Sequence, residues 1–385
     1  MARVLSTPTT ITVNSAQTQL AYEASLTAPG EYRGFEGTDL RTRIPHPYNG
    51  RLVNVTEDGG SDWNTAIDWG SMGCYDPVHK RVMWACHGQG NQGLPNTSFR
   101  NTHAIFDETW NGGEGHWYAI REFNPPPSDT IGMMHHLGNC CMDPNRRRMY
   151  KSKYHQGVVF VCNIDTLEWI GCIDDPIQGS FDRAPGMVYV PTIGTHGALW
   201  AWAYSGGKMQ LEEKLIPEVE VLLPTVEVAP YAWRIIASNV AIGFTEGRGL
   251  PMAYNTRSNK VMCGGEDAHA YIFDCANPTP LTTMITIDSS SINATWHHPQ
   301  DGHLCNDPVN DGWLYKAQNG HMYRISASGT ITDLGAAPGL IGSPTGLVNI
   351  LMTPIEPYGV VWMVGDSFHL NTAPYRAYLY KPAVA

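Results

Sequence analysis

From about residue 70 to the C-terminus the chain repeats one degenerate hairpin pattern six times. Each copy has a short apolar run, a Pro/Asn/Gly turn, an aromatic run, and a polar loop rich in Gly or His. The copies are MGCYDPVHKRVMWACHG, NCCMDPNRRRMYKSKYHQG, GMVYVPTIGTHGALWAWAYSGG, PMAYNTRSNKVMCGGEDAH, NATWHHPQDGHLCNDPVNDGWLYKAQNGH and NILMTPIEPYGVVWMVGDSFH. One small sheet cannot bury its faces alone, so short-strand repeats at a period of roughly 40–65 residues predict a β-propeller. Asp-Pro and Asn-Thr between apolar runs are turn chemistry, because Pro presets φ and Asp or Asn caps the turn backbone.

The expected fold is therefore all-β: a six-bladed β-propeller of four-stranded antiparallel blades over 68–385, with 1–67 as an N-terminal extension. The last copy lacks an obvious fourth strand. The extension is expected to supply it, with Arg51–Thr56 or Thr10–Asn14 as candidates, and closure removes sheet edges that would otherwise aggregate. Third strands are expected to end alike, at Asp107, Asp165 and Asp274. Copy three carries an insertion, EEKLIPEVEVLLPTVEVAP, and copy five a long turn, PQDGHLCNDPVN. Such excursions from a regular core reach a partner or close a gap.

Composition narrows the function. The 39 Gly, 27 Pro, 12 Trp and 18 Tyr suit short packed strands, while charged residues are only 16%. A net charge of −11 argues against nucleic acid as the partner, since phosphate contacts need clustered Lys and Arg. The first residues contain no apolar core of secretory length, and no stretch approaches a membrane span. Nine scattered cysteines without a CxxC pair read as buried reduced thiols of a chain made in a cytoplasm.

Phasing the copies places the loops after the second strands, and those between blades, on one end of the ring. That face gathers His87, His155, Glu266, Asp267, His269, His321 and His369. A ring of histidines could bind a metal, a sugar or an acidic peptide. Regular spacing around a ring is also what structure alone produces, with each His bonded to backbone carbonyls, and ligands across a channel lie too far apart to share one ion. No metal, cofactor or catalytic residue is assigned on this basis, and the carboxylates Asp174, Asp175, Asp182, Glu266 and Asp267 follow no glycosidase spacing. Trp84, Trp200, Trp202, Trp313 and Trp362 recur in second strands and are expected to pack between blades. Trp63, Trp69 and Trp110 fall outside that register and are candidates for a partner contact or a glycan platform.

Gly264-Gly265 followed by Tyr271 and Asp274, with partial matches at Gly206-Gly207 and in NIDTLEW ending at Trp169, resembles kelch-type propeller blades. In general character the chain is also similar to the tail and virion propellers of tailed bacteriophages. That resemblance implies a non-enzymatic structural propeller in a virion, joined to other subunits through residues 1–67 and the copy-three insertion, with a host glycan as a further ligand. The alternatives are a carbohydrate-active propeller enzyme (hydrolase, lyase or oxidase) and a cellular kelch-type adaptor.

Overall fold

The computed structural model describes residues 17–35, 73–86, 102–121, 140–152, 158–174, 186–205, 208–223, 232–238, 240, 251–264, 269–277, 279–288, 290, 302–317, 319–337, 350–365 and 376–385. A helix, α1 (Gln19–Leu26), precedes the first strand, β1 (Tyr32–Phe35). Blade 1 holds β2 (Gly73–Asp76), β3 (Arg81–Cys86), β4 (Thr102–Asp107) and β5 (His116–Arg121). Blade 2 holds β6 (Cys140–Asp143), β7 (Arg148–Ser152), β8 (Val158–Asn163) and β9 (Glu168–Asp174). Blade 3 holds β10 (Gly186–Val190), β11 (Ala198–Ser205), β12 (Lys208–Leu215) and β13 (Arg234–Ala237). Blade 4 holds β14 (Met252–Asn255), β15 (Lys260–Gly264), β16 (His269–Asp274) and β17 (Ile285–Asp288). Blade 5 holds β18 (Gly302–Asn306), β19 (Gly312–Ala317), β20 (His321–Ser326) and β21 (Ile331–Ala336). Blade 6 holds β22 (Ile350–Ile355), β23 (Val360–Gly365) and β24 (Arg376–Tyr380), with β1 as its outermost strand.

All pairings are antiparallel, and the first strands of neighbouring blades touch in sequence around a closed ring, β22 meeting β2. The turns explain the repeat. Asp76, Asp143, Asn255 and Asp307 each accept a backbone N–H two residues on, at 2.8–3.1 Å. The last turn residue is left-handed in five blades: Lys80, Arg147, Gly197, Asn259 and Gly359 have φ between 53° and 83°. Gly and Asn fit that region readily, whereas Lys80 and Arg147 are strained there by about 1 kcal/mol.

Strands with apolar side chains on both faces fill the seams between blades. Trp200, Trp202, Trp313 and Trp362 are fully buried there, as their repeated position predicts. Trp202 Nε1 donates to the Gly264 carbonyl at 2.9 Å and Trp313 Nε1 to the Ala253 carbonyl at 3.0 Å, so each tryptophan also pins a neighbouring blade. Phe106 of blade 1 meets Trp362 of blade 6 with ring centroids 4.6 Å apart.

Four expectations change. The N-terminus does close the ring, but through β1, which pairs Tyr32 with Tyr380; both strands named from sequence lie outside the described residues. In copy five the proposed long turn contains the inner strand itself: Gly302–Asn306 is β18, and Asp307 caps an ordinary turn. The aromatic run around Trp296, taken for the inner strand, lies outside the described residues. The copy-three insertion begins later than read, because Glu212–Leu215 completes β12. Finally, the residue equivalent to Asp107 and Asp274 is Asn163, whose Oδ1 accepts from Asp165 N at 2.9 Å; Asp165 lies beyond the strand.

Candidate interaction surface

The connection from β12 to β13 leaves blade 3 and crosses to blade 2. Leu223 exchanges two backbone hydrogen bonds with Cys172 of β9, at 2.9 and 3.0 Å, so the excursion covers part of the outer edge of blade 2. Leu222 packs onto Gly171, whose φ of 148° and lack of a Cβ let the two segments approach. Asp174 fixes both roots of the excursion: its carboxylate accepts from Ala232 N at 2.6 Å and from Lys214 Nζ, and its carbonyl accepts from Trp233 Nε1 at 2.9 Å. That buried carboxylate, one of the glycosidase candidates, is therefore structural. Tyr150 donates to Glu220 at 3.0 Å, and Arg146 donates to the Pro217 and Glu218 carbonyls. Burial pushes the Glu220 carboxyl above its usual range, against the opposing pull of Tyr150 and Arg146.

The anchored segment buries Ile216 and packs Leu222 and Leu223 inward but turns its two valines outward. Val219 is 75% exposed and Val221 78%, and Leu215 and Ile235 on the adjoining strands are at least half exposed. They account for four of the eight large hydrophobic residues exposed among the described residues. Alternation explains the pattern: in Glu218-Val219-Glu220-Val221, Glu220 reaches inward to Tyr150 while the valines face solvent. The sequence EVEV on an insertion was the legible signal.

A second constellation holds the ring seam. Glu108, fully buried, accepts from Thr18 at 2.6 Å, Tyr75 at 2.5 Å and Tyr358 at 2.9 Å, joining the N-terminal segment, blade 1 and blade 6. Burial first, and then the Glu108 carboxylate, push the Tyr75 hydroxyl far above its ordinary range, so it remains a donor. Thr18 also caps α1 through Ala21 N.

Of the residues singled out from sequence, His87, His155, Glu266, Asp267, His369, Trp63 and Trp69 lie outside the described residues. His269 and His321 begin equivalent third strands, so they share one end of the ring but sit in the outer halves of their blades. His321 Nδ1 lies 3.0 Å from the carboxylate of Asp333. Trp110 lies at the opposite end, in a single helical turn between β4 and β5 that meets Thr18 through Gly113. Among the described residues, no group of three or more His, Cys, Asp or Glu could hold a metal ion, and no helix is long and apolar enough to cross a membrane. A cleft of about 270 Å³ between blades 3 and 4 has a buried carboxylate, Glu213, already engaged by Trp200 Nε1 at 3.1 Å and by Arg234.

No family model and no curated protein sequence matches the chain. Among solved structures, a nidogen/laminin complex is similar over 67% of this chain and 76% of that one, at 12% identity and a TM-score of 0.42. Chaetomium thermophilum Sqt1, bound to the N-terminus of ribosomal protein L10, is similar over 80% of this chain and 69% of that one, at 11% identity and a TM-score of 0.41. The six-bladed propeller itself stands on the pairing of its own strands. That fold is consistent with a structural or protein-binding role.

Proposed function

We propose that the chain is a non-enzymatic structural and binding propeller that joins a larger assembly through the outer part of blade 3. The supporting observation is the excursion itself: a segment anchored at both roots that exposes Val219 and Val221 where apolar side chains normally seek cover. Glu218 is exposed beside those valines, whereas Glu220 is turned inward, so a contacting surface with apolar side chains next to a Lys or Arg fits best. The sequence resemblance to phage tail and virion propellers makes a virion the assembly proposed, and residues 1–67 a second attachment.

Hydrogen–deuterium exchange on the chain in its native particle, against the purified chain, tests this reading. Slowed exchange at 216–223 in the particle is the expected result. Unchanged exchange there, or release of sugar from a polysaccharide panel by the purified chain, would overturn it.

A further inference from the structure

Blade 5 carries a pair of basic side chains that nothing above uses. His303 of β18 lies directly across from Lys316 of β19, and each residue is 4% exposed. Alternation along the strands puts both on the side of Cys305 and Leu314, which belong to the core between blades 5 and 6. Met322, across from Lys316 on β20, belongs to the same core. The pair sits near the end of the ring where third strands begin.

Neither side chain has a hydrogen bond or ion pair among the described residues. Among the described residues His303 Nδ1 is buried without a partner, and none of their carboxylates acts on either group. Lys151, the other buried lysine of a second strand, is by contrast engaged. A buried ammonium lacking a counter-charge is costly, and the imidazole directly opposite supplies no counter-charge. Burial alone pushes the Lys316 amine down to about 8, and burial with the neighbouring Lys316 pushes the His303 imidazole down to about 4. An anion bonded to both would remove the mismatch. A carboxylate has the matching chemistry, one oxygen able to accept from a lysine ammonium and the other from an imidazole N–H.

We propose that His303 and Lys316 form a carboxylate-binding site in the seam between blades 5 and 6. The site is independent of the blade 3 surface, and its failure would leave that reading untouched.

Calorimetric titration and thermal unfolding with sodium acetate, sodium glucuronate and N-acetylglutamate test it, against sodium chloride at equal ionic strength and neutral acetamide. Carboxylates are expected to bind and to raise Tm where chloride and acetamide do not, and Lys316→Met to weaken acetate binding at least tenfold while Lys316→Arg retains it. Lys316→Met removes an uncompensated buried charge, so it is expected to fold with a Tm at or above that of the parent chain. Tighter binding of glucuronate than of acetate supports the site and identifies a sugar acid as its natural source; tighter binding of N-acetylglutamate supports it and identifies an acidic peptide. Equal responses of the parent chain to acetate and chloride would overturn the proposal, as would unchanged acetate affinity in Lys316→Met.

Discussion

Blades 3 and 4 share a seam built around Trp202 and Phe273, yet they treat their outer halves in opposite ways. Blade 4 closes economically: Asn255 and Asp274 cap its turns, Asn259 takes the left-handed position, and among its described residues Leu281, 42% exposed, is the large apolar side chain shown to solvent. Blade 3 sends its chain across to blade 2, ties it down at Asp174 and Cys172, and exposes Val219 and Val221. The same repeat thus yields one blade that serves the ring and one that serves the ring and presents a surface.

Substitutions can break this contrast, the largest effect first. Trp313→Ala empties the seam between blades 4 and 5 and frees the Ala253 carbonyl, so chemical unfolding should show a loss of about 3–5 kcal/mol. Asp174→Ala unpins both roots of the excursion, with an expected loss of about 1–3 kcal/mol and faster proteolysis near residue 220. Lys80→Asn gives blade 1 the residue type that blade 4 uses at its left-handed position and should add roughly 0.5–1 kcal/mol, seen as a higher denaturant midpoint. The smallest effect concerns pH. The Glu220 carboxyl is raised in the folded chain, so its contribution is fully present below the ordinary Glu range and is lost as pH rises through the raised value. Protection of 216–223 in hydrogen exchange should therefore weaken from acid toward neutral pH, and Glu220→Gln should flatten that slope.

The repeat was legible because its turns carry local chemistry: Asp76-Pro77, Asp143-Pro144 and Asn255-Thr256 announce their own geometry. Copy five misled because the aromatic stretch at Trp296 looks more like a strand than His303-Leu304-Cys305-Asn306, although Asp307-Pro308 marked the true turn. The closing strand was hidden for a different reason. Tyr32-Arg33-Gly34-Phe35 has weak strand character of its own, and its place is set by pairing with Ala377–Tyr380 at the far end of the chain. Likewise, nothing local in Glu108 foretells that hydroxyls from Thr18, Tyr75 and Tyr358 converge on it. Of the candidate surface, the alternation in Glu218–Val221 could be read directly, whereas its anchoring to blade 2 depends on backbone pairing with Cys172. His303 falls in the stretch misread as a turn, and the seam it shares with Lys316 of the correctly placed second strand appears only once β18 and β19 are paired.

The most direct measurement places a photo-crosslinking residue at Val219 in one variant and at Leu281 in another, each in the native assembly. Both side chains are exposed in the isolated chain. A crosslink to another chain from position 219, with little or none from position 281, is the predicted result. No crosslink from 219, or equal crosslinking from both, would contradict the assignment of blade 3 as the surface through which this propeller binds.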